Sequence, residues 1–373
     1  MLVCEEATLP YQRPPLSKTF LKSAQDSVQL HRDLGWYAQH GIELVLGRKA
    51  IAINRYEREL ELDDGEWVAY EQLVLATGAR ARVFDPFDRP LENVHSLRSQ
   101  ADASRLRASL LSDSRESLTV LGGGFIGLEV AATARALGWR VQVFEAAARL
   151  LPRSLSPHMA SHVLAHHIEH GIQVTVDAQV DGFEVEGHRL RALRARDRKA
   201  AVDQLLLGVG SVAASELAVS AGLKVDHGVV VDESLRSSDA SILAIGDCAA
   251  FPMGEGHLRL ESVQNANDQA RVAAAVLIGK AARYRPLPWF WSDQGGMRLQ
   301  MVGLWREGLT THERRGPNPS SFSLFHYEGD RLCCVESVNA PVDHMVARKL
   351  MELDNSPNPE RLCDPSIALK SLL

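Results

Sequence analysis

One stretch constrains the fold of this chain more than any other. The apolar run Ser117-Leu118-Thr119-Val120-Leu121 leads straight into Gly122-Gly123-Gly124-Phe125-Ile126-Gly127. A helix-forming run over 128–137 follows and Gly138 stops it. A second apolar strand, Arg140-Val141-Gln142-Val143-Phe144, then ends on Glu145. Strand, glycine turn, helix and strand in this order make a βαβ unit, and G-x-G-x-x-G in that setting is a dinucleotide signal rather than a loose glycine cluster. Gly122 allows the tight turn, Gly124 lets the backbone approach a pyrophosphate, and Gly127 lets the helix pack closely on the strand. The start of the helix offers amides and partial positive charge to phosphate. Glu145, 23 residues beyond Gly122, stands near the spacing of an acid that binds a ribose diol and repels a 2′-phosphate, which predicts NADH over NADPH. Arg140 and Arg149 flank that position and would temper the preference.

Two other apolar runs end in glycine turns, Leu73-Val74-Leu75-Ala76-Thr77-Gly78 and Ile242-Leu243-Ala244-Ile245-Gly246-Asp247. Strands of this kind alternating with helical segments predict an α/β fold with parallel sheets. Segment 49–70 alternates around Asp63-Asp64-Gly65 as a hairpin does, and 259–280 reads as a helix stopped by Gly279. Pro286 and Pro288 mark a boundary. Beyond them, strand-like runs lead to a last helix near 341–353.

A length of 373 residues leaves room for two or three domains. The formal charge of −6 gives no support to wholesale nucleic-acid binding. No apolar run reaches the ~18 residues of a membrane helix, and Met1 to Glu6 lacks the features of a signal peptide, so the expected location is the cytoplasm. The five cysteines, Cys4, Cys248, Cys333, Cys334 and Cys363, form no C-x-x-C or zinc spacing, and Cys333-Cys334 reads as part of a half-buried strand. His162, His166 and His170 share a helix face at a spacing that can grip metal, but no carboxylate or cysteine completes a set, and no metal is expected.

Five segments occur in one order: Tyr11-Gln12-Arg13-Pro14-Pro15-Leu16-Ser17-Lys18, Leu75 to Ala79, Gly122 to Glu129, Ile245-Gly246-Asp247, and Trp291-Ser292-Asp293-Gln294. Together they resemble the FAD-dependent NADH:ferredoxin reductases of bacterial oxygenase systems, the group that includes putidaredoxin and rubredoxin reductases. The resemblance covers essentially the whole chain. It implies a glutathione-reductase-like fold with two nucleotide-binding parallel-sheet domains and an α+β C-terminal domain. The FAD-binding domain would comprise 1–90 and 208–285, the NADH-binding domain 91–207, and the C-terminal interface domain 286–373.

The resemblance also implies roles. Glu5 or Glu6 stands near the FAD-ribose acid. Arg13, Pro15 and Lys18 match the segment beside the isoalloxazine ring, where a cation stabilises reduced flavin. Thr77 and Gly78 match a turn bridging the cofactors, and Asp247 matches an acid on ribityl or pyrophosphate oxygens. Gly210 and Gly246 join the cofactor-binding set. Glu129 matches an acid near nicotinamide that pairs with Lys18, and Trp291 an aromatic beside the flavin. The implied reaction passes electrons from NADH through FAD to a [2Fe-2S] ferredoxin, or to a rubredoxin. No side chain need act as nucleophile, and no cysteine lies between Pro10 and Gly47 where disulfide or peroxide chemistry would require one. Arg298, Arg306, Arg314 and Arg315 are candidates for docking an acidic partner.

One departure stands out. The family opens with a strand and a first G-x-G-x-x-G for the FAD pyrophosphate, whereas Met1 to Glu6 reads as the second strand of that unit. One strand and one helix, on the order of 30 residues as in a βα half-unit, are expected to be missing. An active reductase whose first unit lies upstream and a flavin-poor NADH-binding or interaction protein without turnover are both left open.

Overall fold

The computed structural model describes residues 1–82, 89–112, 116–196 and 198–373, which pack into two compact units. The first comprises 1–15, 27–80 and 211–286; the second comprises 16–26, 81–210 and 287–373. The C-terminal segment, which the sequence set apart as a domain, thus falls in the same unit as the glycine motif.

The second unit is built on a parallel sheet in the order Ile172–Thr175, Arg140–Phe144, Ser117–Leu121, Gln204–Leu207 and Val94–His95. The glycine strand Ser117–Leu121 lies at its centre. Four of its five residues are buried, which explains why it reads as an unbroken apolar run rather than an alternating one. Helix Phe125–Ala136 carries a run of eight buried residues, Gly127 to Ala134, as a crossover helix packed on a sheet requires. The helix Gln100–Leu110 opens on a capping box between Ser99 and Asp102, worth about 1 kcal/mol. Trp139, fully buried, donates its indole N–H to the carbonyl of Leu110 at 2.9 Å.

The C-terminal part of this unit is an antiparallel sheet in the order Trp289–Gln294, Met297–Gly303, Arg331–Val338, Phe322–Glu328 and Thr310–Arg315. Helix Pro341–Glu352 buries Val346, Ala347 and Leu350 in a core shared with Val302, Phe325, Tyr327 and Val335. Cys333 is half-buried and Cys334 buried on one of these strands. A polar joint ties this sheet to the helix Pro157–Glu169. Ser156 caps that helix, its Oγ accepting from Met159 N at 3.2 Å and donating to Glu336 Oε2 at 2.5 Å. The Ser156 amide donates to Glu336 Oε1 at 2.8 Å, and His326 Nε2 stands 2.8 Å from Oε2. Ser156, Glu336 and His326 are all buried.

The first unit holds three short parallel pairs, Leu2–Cys4 with Leu44–Leu46, Leu73–Leu75 with Ile242–Ala244 and Val229–Val230 with Ala249–Ala250. Among the described residues no strand joins these pairs to one another. Around them lie the antiparallel strands Ala50–Asn54, Glu59–Leu62 and Trp67–Ala69, where the hairpin was expected, and the helix Val263–Leu277, followed by Gly279 at φ +77°. Their common core contains Leu62, Leu75, Leu243, Phe251 and Ala273.

Candidate dinucleotide and flavin sites

The glycine turn is packed so tightly that its sequence has little freedom. Gly122 has φ +102°, and a Cβ there would stand 2.3 Å from the carbonyl of Gly208; at Gly127 it would stand 2.4 Å from the carbonyl of Gly122. Either contact would force the backbone apart. Gly124 is different, since a Cβ there would meet nothing closer than 4.0 Å. Its openness lies at the start of helix Phe125–Ala136, whose first turn has no side-chain cap, so backbone donors face free room. That arrangement fits a dinucleotide pyrophosphate. Glu145 reaches this loop, accepting from Gly123 N at 2.6 Å and Ala147 N at 2.7 Å. Gly210, with φ +99°, accepts from Arg82 N at 3.0 Å. Arg149 is not available beside Glu145 as expected: it donates to the carbonyls of Leu155 and Pro152 and stacks over Trp305. Arg140 is exposed.

In the same unit the structure brings Lys18 and Glu129 together, Nζ to Oε2 at 2.7 Å. Glu129 is only 4% exposed although it lies on a helix, so its charge is held away from water and must be met by protein donors. Ser17 Oγ donates to Oε2 at 2.5 Å and Ser292 Oγ to Oε1 at 2.7 Å. Trp291 is half-buried and stacked with Trp289, their ring centroids 5.7 Å apart. Sequence reasoning named Lys18, Glu129 and Trp291 but passed over Ser17, Ser292 and Gln294. The signal was present in Trp291-Ser292-Asp293-Gln294. On a strand, alternate residues share a face, so Ser292 and Gln294 point together, and both are fully buried.

The residues assigned to flavin lie in the first unit, Lys18, Gly210 and Trp291 apart. Arg13 is held by Glu6 at 2.7 Å and by the Tyr11 hydroxyl at 3.2 Å, and Pro15 lies in the short helix Pro14–Ser17. Glu5 is exposed and 3.6 Å from Lys49, whereas Glu6 is the more enclosed of the two acids. Thr77 donates its hydroxyl to the carbonyl of Ala214 at 2.6 Å, and the Ala214 amide returns a bond to the carbonyl of Gly78 at 3.0 Å, pinning a turn in which Gly78 has φ +70°. Gly246, at φ +74°, donates its amide to Gln269 Oε1 at 2.6 Å, while Gln269 Nε2 is buried with no partner. An orphaned buried donor beside half-buried Asp247 fits the oxygens of a ribityl chain.

Of the four arginines expected to dock an acidic partner, one is not at the surface. Arg314 is buried and donates to the carbonyls of Leu362, Asp364 and Ile367, tying down the C-terminal segment. Arg298, Arg306 and Arg315 are paired with Asp293, Glu328 and Glu313. Among the described residues no group of three His, Cys, Asp or Glu side chains could hold a metal, and no helix is long and apolar enough to cross a membrane.

Comparison with known proteins agrees along the whole chain. Residues 1–270 match the pyridine nucleotide-disulphide oxidoreductase family and 289–373 match the reductase C-terminal family. Rhodocoxin reductase of Rhodococcus erythropolis is 44% identical, covering 99% of this chain and 87% of that protein. The crystal structure of the ferredoxin reductase for the CYP199A2 system from Rhodopseudomonas palustris superposes with a TM-score of 0.94 at 40% identity, covering 99% of this chain and 92% of that one. The reductase solved in a covalent complex with putidaredoxin superposes with a TM-score of 0.93 at 37% identity, covering 100% and 91%.

Proposed function

The chain belongs to the pyridine nucleotide-disulphide oxidoreductase family, with a reductase C-terminal domain, and on that premise we propose that it passes electrons from NADH through FAD to a [2Fe-2S] ferredoxin serving an oxygenase. FAD and NAD(H) are its cofactors. The observation that carries the reading is the pairing of Lys18 with buried Glu129, placed in one compact unit with an intact dinucleotide turn. A relative named rhodocoxin reductase and one solved with putidaredoxin attached support a protein electron acceptor.

A flavin, when bound, supplies the ability to accept a hydride and release electrons one at a time. The chain's own residues do the rest. The amides opening helix Phe125–Ala136 hold the NADH pyrophosphate, and Glu145 selects the ribose diol over a 2′-phosphate. Glu129, paired with Lys18, would give the nicotinamide carboxamide a fixed acceptor. Trp291 supplies an apolar face that keeps water out. Arg13, Pro15, Thr77, Gly78, Gly246 and Asp247 hold the flavin, with Glu5 or Glu6 on its ribose side. In this reading 1–90 with 208–285 is the flavin domain, 91–207 the NADH domain and 286–373 the interface domain. Five free cysteines without a pairing pattern support a reducing, cytoplasmic setting.

The test is rapid mixing of the FAD-loaded chain with NADH, then with acceptor. Bleaching of the flavin absorbance and reduction of a [2Fe-2S] ferredoxin are expected. Failure to retain flavin would leave an NADH-binding protein without turnover, and faster reduction of a rubredoxin would reassign the acceptor.

A further inference from the structure

The helix Pro157–Glu169 carries a run of histidines that neither a metal nor the reaction above explains. His167 is 1% exposed, and its Nε2 stands 2.8 Å from Gln294 Oε1. Gln294 Nε2 stands 3.0 Å from Ser292 Oγ, and Ser292 Oγ stands 2.7 Å from Glu129 Oε1. Every member of this chain is buried. His166 Nε2 lies 3.0 Å from the backbone carbonyl of Gln294, so two consecutive histidines bracket one glutamine.

The direction of each bond follows from the carboxylate end. Glu129, an anion beside the Lys18 ammonium, can only accept, so Ser292 must spend its single proton on it. Ser292 Oγ must then accept from Gln294, which turns the amide nitrogen toward Ser292 and the amide oxygen toward His167. His167 must therefore carry its proton on Nε2. Burial lowers the His167 pKa to about 4, so the ring is neutral at physiological pH and one tautomer is selected. The charged or titratable groups facing the two ends are Lys18 at Glu129, and His166 and His170 at His167.

We propose that His167 and Gln294 are positioning residues for hydride transfer: His167 fixes the Gln294 amide in the one orientation that makes Ser292 donate to Glu129. This rests on Glu129 facing the nicotinamide. Without the His167 N–H the amide is free to turn over and present its oxygen to Ser292. The Ser292 proton then goes to Gln294, and Glu129 loses one of its three donors.

The test uses the full FAD-loaded chain and the variants His167→Leu, His167→Gln, Ser292→Ala and Glu129→Gln. His167→Leu removes a neutral buried donor, and His167→Gln offers an amide N–H in its place. Hydrogen exchange of the Gln294 side-chain amide, read by NMR, is expected to speed up about 10-fold in His167→Leu, as for a lost buried hydrogen bond. Single-turnover flavin reduction is expected to slow about 10-fold, the loss of one donor at a positioned carboxylate, with NADH Kd changed less than about 2-fold. His167→Gln is expected to restore both readouts, and Ser292→Ala to slow reduction even if His167→Leu does not fold. Slow reduction by Glu129→Gln with parental rates in His167→Leu and Ser292→Ala would overturn the relay. So would equal losses in His167→Leu and His167→Gln. Parental rates in Glu129→Gln, with faster Gln294 exchange in His167→Leu, would uphold the amide-fixing role and overturn the placement of Glu129 at the nicotinamide.

Discussion

In the second unit, Ser117–Leu121 is paired on both edges and runs into a turn where two glycines have backbone carbonyls within 2.4 Å of any added Cβ. In the first unit, among the described residues, the ladder of Leu2–Cys4 runs to Leu44–Leu46 alone and that of Leu73–Leu75 to Ile242–Ala244 alone. Gly246 there is buried but could take a Cβ, which would meet nothing nearer than Ala266 Cβ at 3.9 Å. One proposed nucleotide site is thus formed by its own packing, and the other proposed site is a set of residues on lightly paired strands. Ligand binding stabilises whatever it orders, so FAD should stabilise the first unit more than NADH stabilises the second.

The sharpest attempt to break this contrast is a pair of alanines. Gly122→Ala meets a fixed carbonyl and is expected to abolish NADH binding, a loss beyond about 100-fold by calorimetry, with a destabilisation of several kcal/mol as for overpacking at a left-handed position. Gly246→Ala pays only for its positive φ, about 1 kcal/mol, and should retain flavin through gel filtration. Equal losses would erase the distinction. Lys18→Met comes next: it leaves Glu129 buried without its cation, and about 3 kcal/mol of stability should vanish from the urea midpoint.

Acid should separate the units without mutation. Burial lowers His167 and His344, both in the second unit, from 6.5 to about 4. A depressed histidine binds protons more readily when unfolded, so stability falls as pH drops from 6.5 towards 4, by on the order of 2–3 kcal/mol per residue. In the first unit the Arg55 guanidinium lowers Asp239 from 3.8 to about 2. Its contribution is present above pH 3.8 and lost between there and 2, and as a partly exposed ion pair it is worth less than about 1 kcal/mol. Hydrogen exchange followed from pH 7 to 4 should show the second unit loosening first. The smallest expected effect is in Glu145→Gln, which should narrow the preference for NADH over NADPH about 10-fold in kcat/KM, the scale of one charge–phosphate contact.

What could be read beforehand were features written in local periodicity. The glycine strand, the hairpin near Asp63-Asp64-Gly65, the helix before Gly279 and the strand around Cys333 all follow from short local runs of the sequence. Long-range partners were the illegible part. Arg314 looked like a surface charge because the carbonyls that bury it come from Leu362, Asp364 and Ile367, about 50 residues on. The histidine face had a spacing that can grip metal but no complete ligand set, and nothing near it in the chain announces its partner Gln294.

The cap on helix Pro157–Glu169 has one more implication. Ser156 and the carboxylate it bonds are 180 residues apart. A chain emerging from the ribosome builds that helix long before Glu336 has been made, so for much of its synthesis the Ser156 amide and hydroxyl must look to water. The last strands, in locking that end, act as a completion signal: only a finished polypeptide can close the joint, and one released early should be recognised by proteases there first.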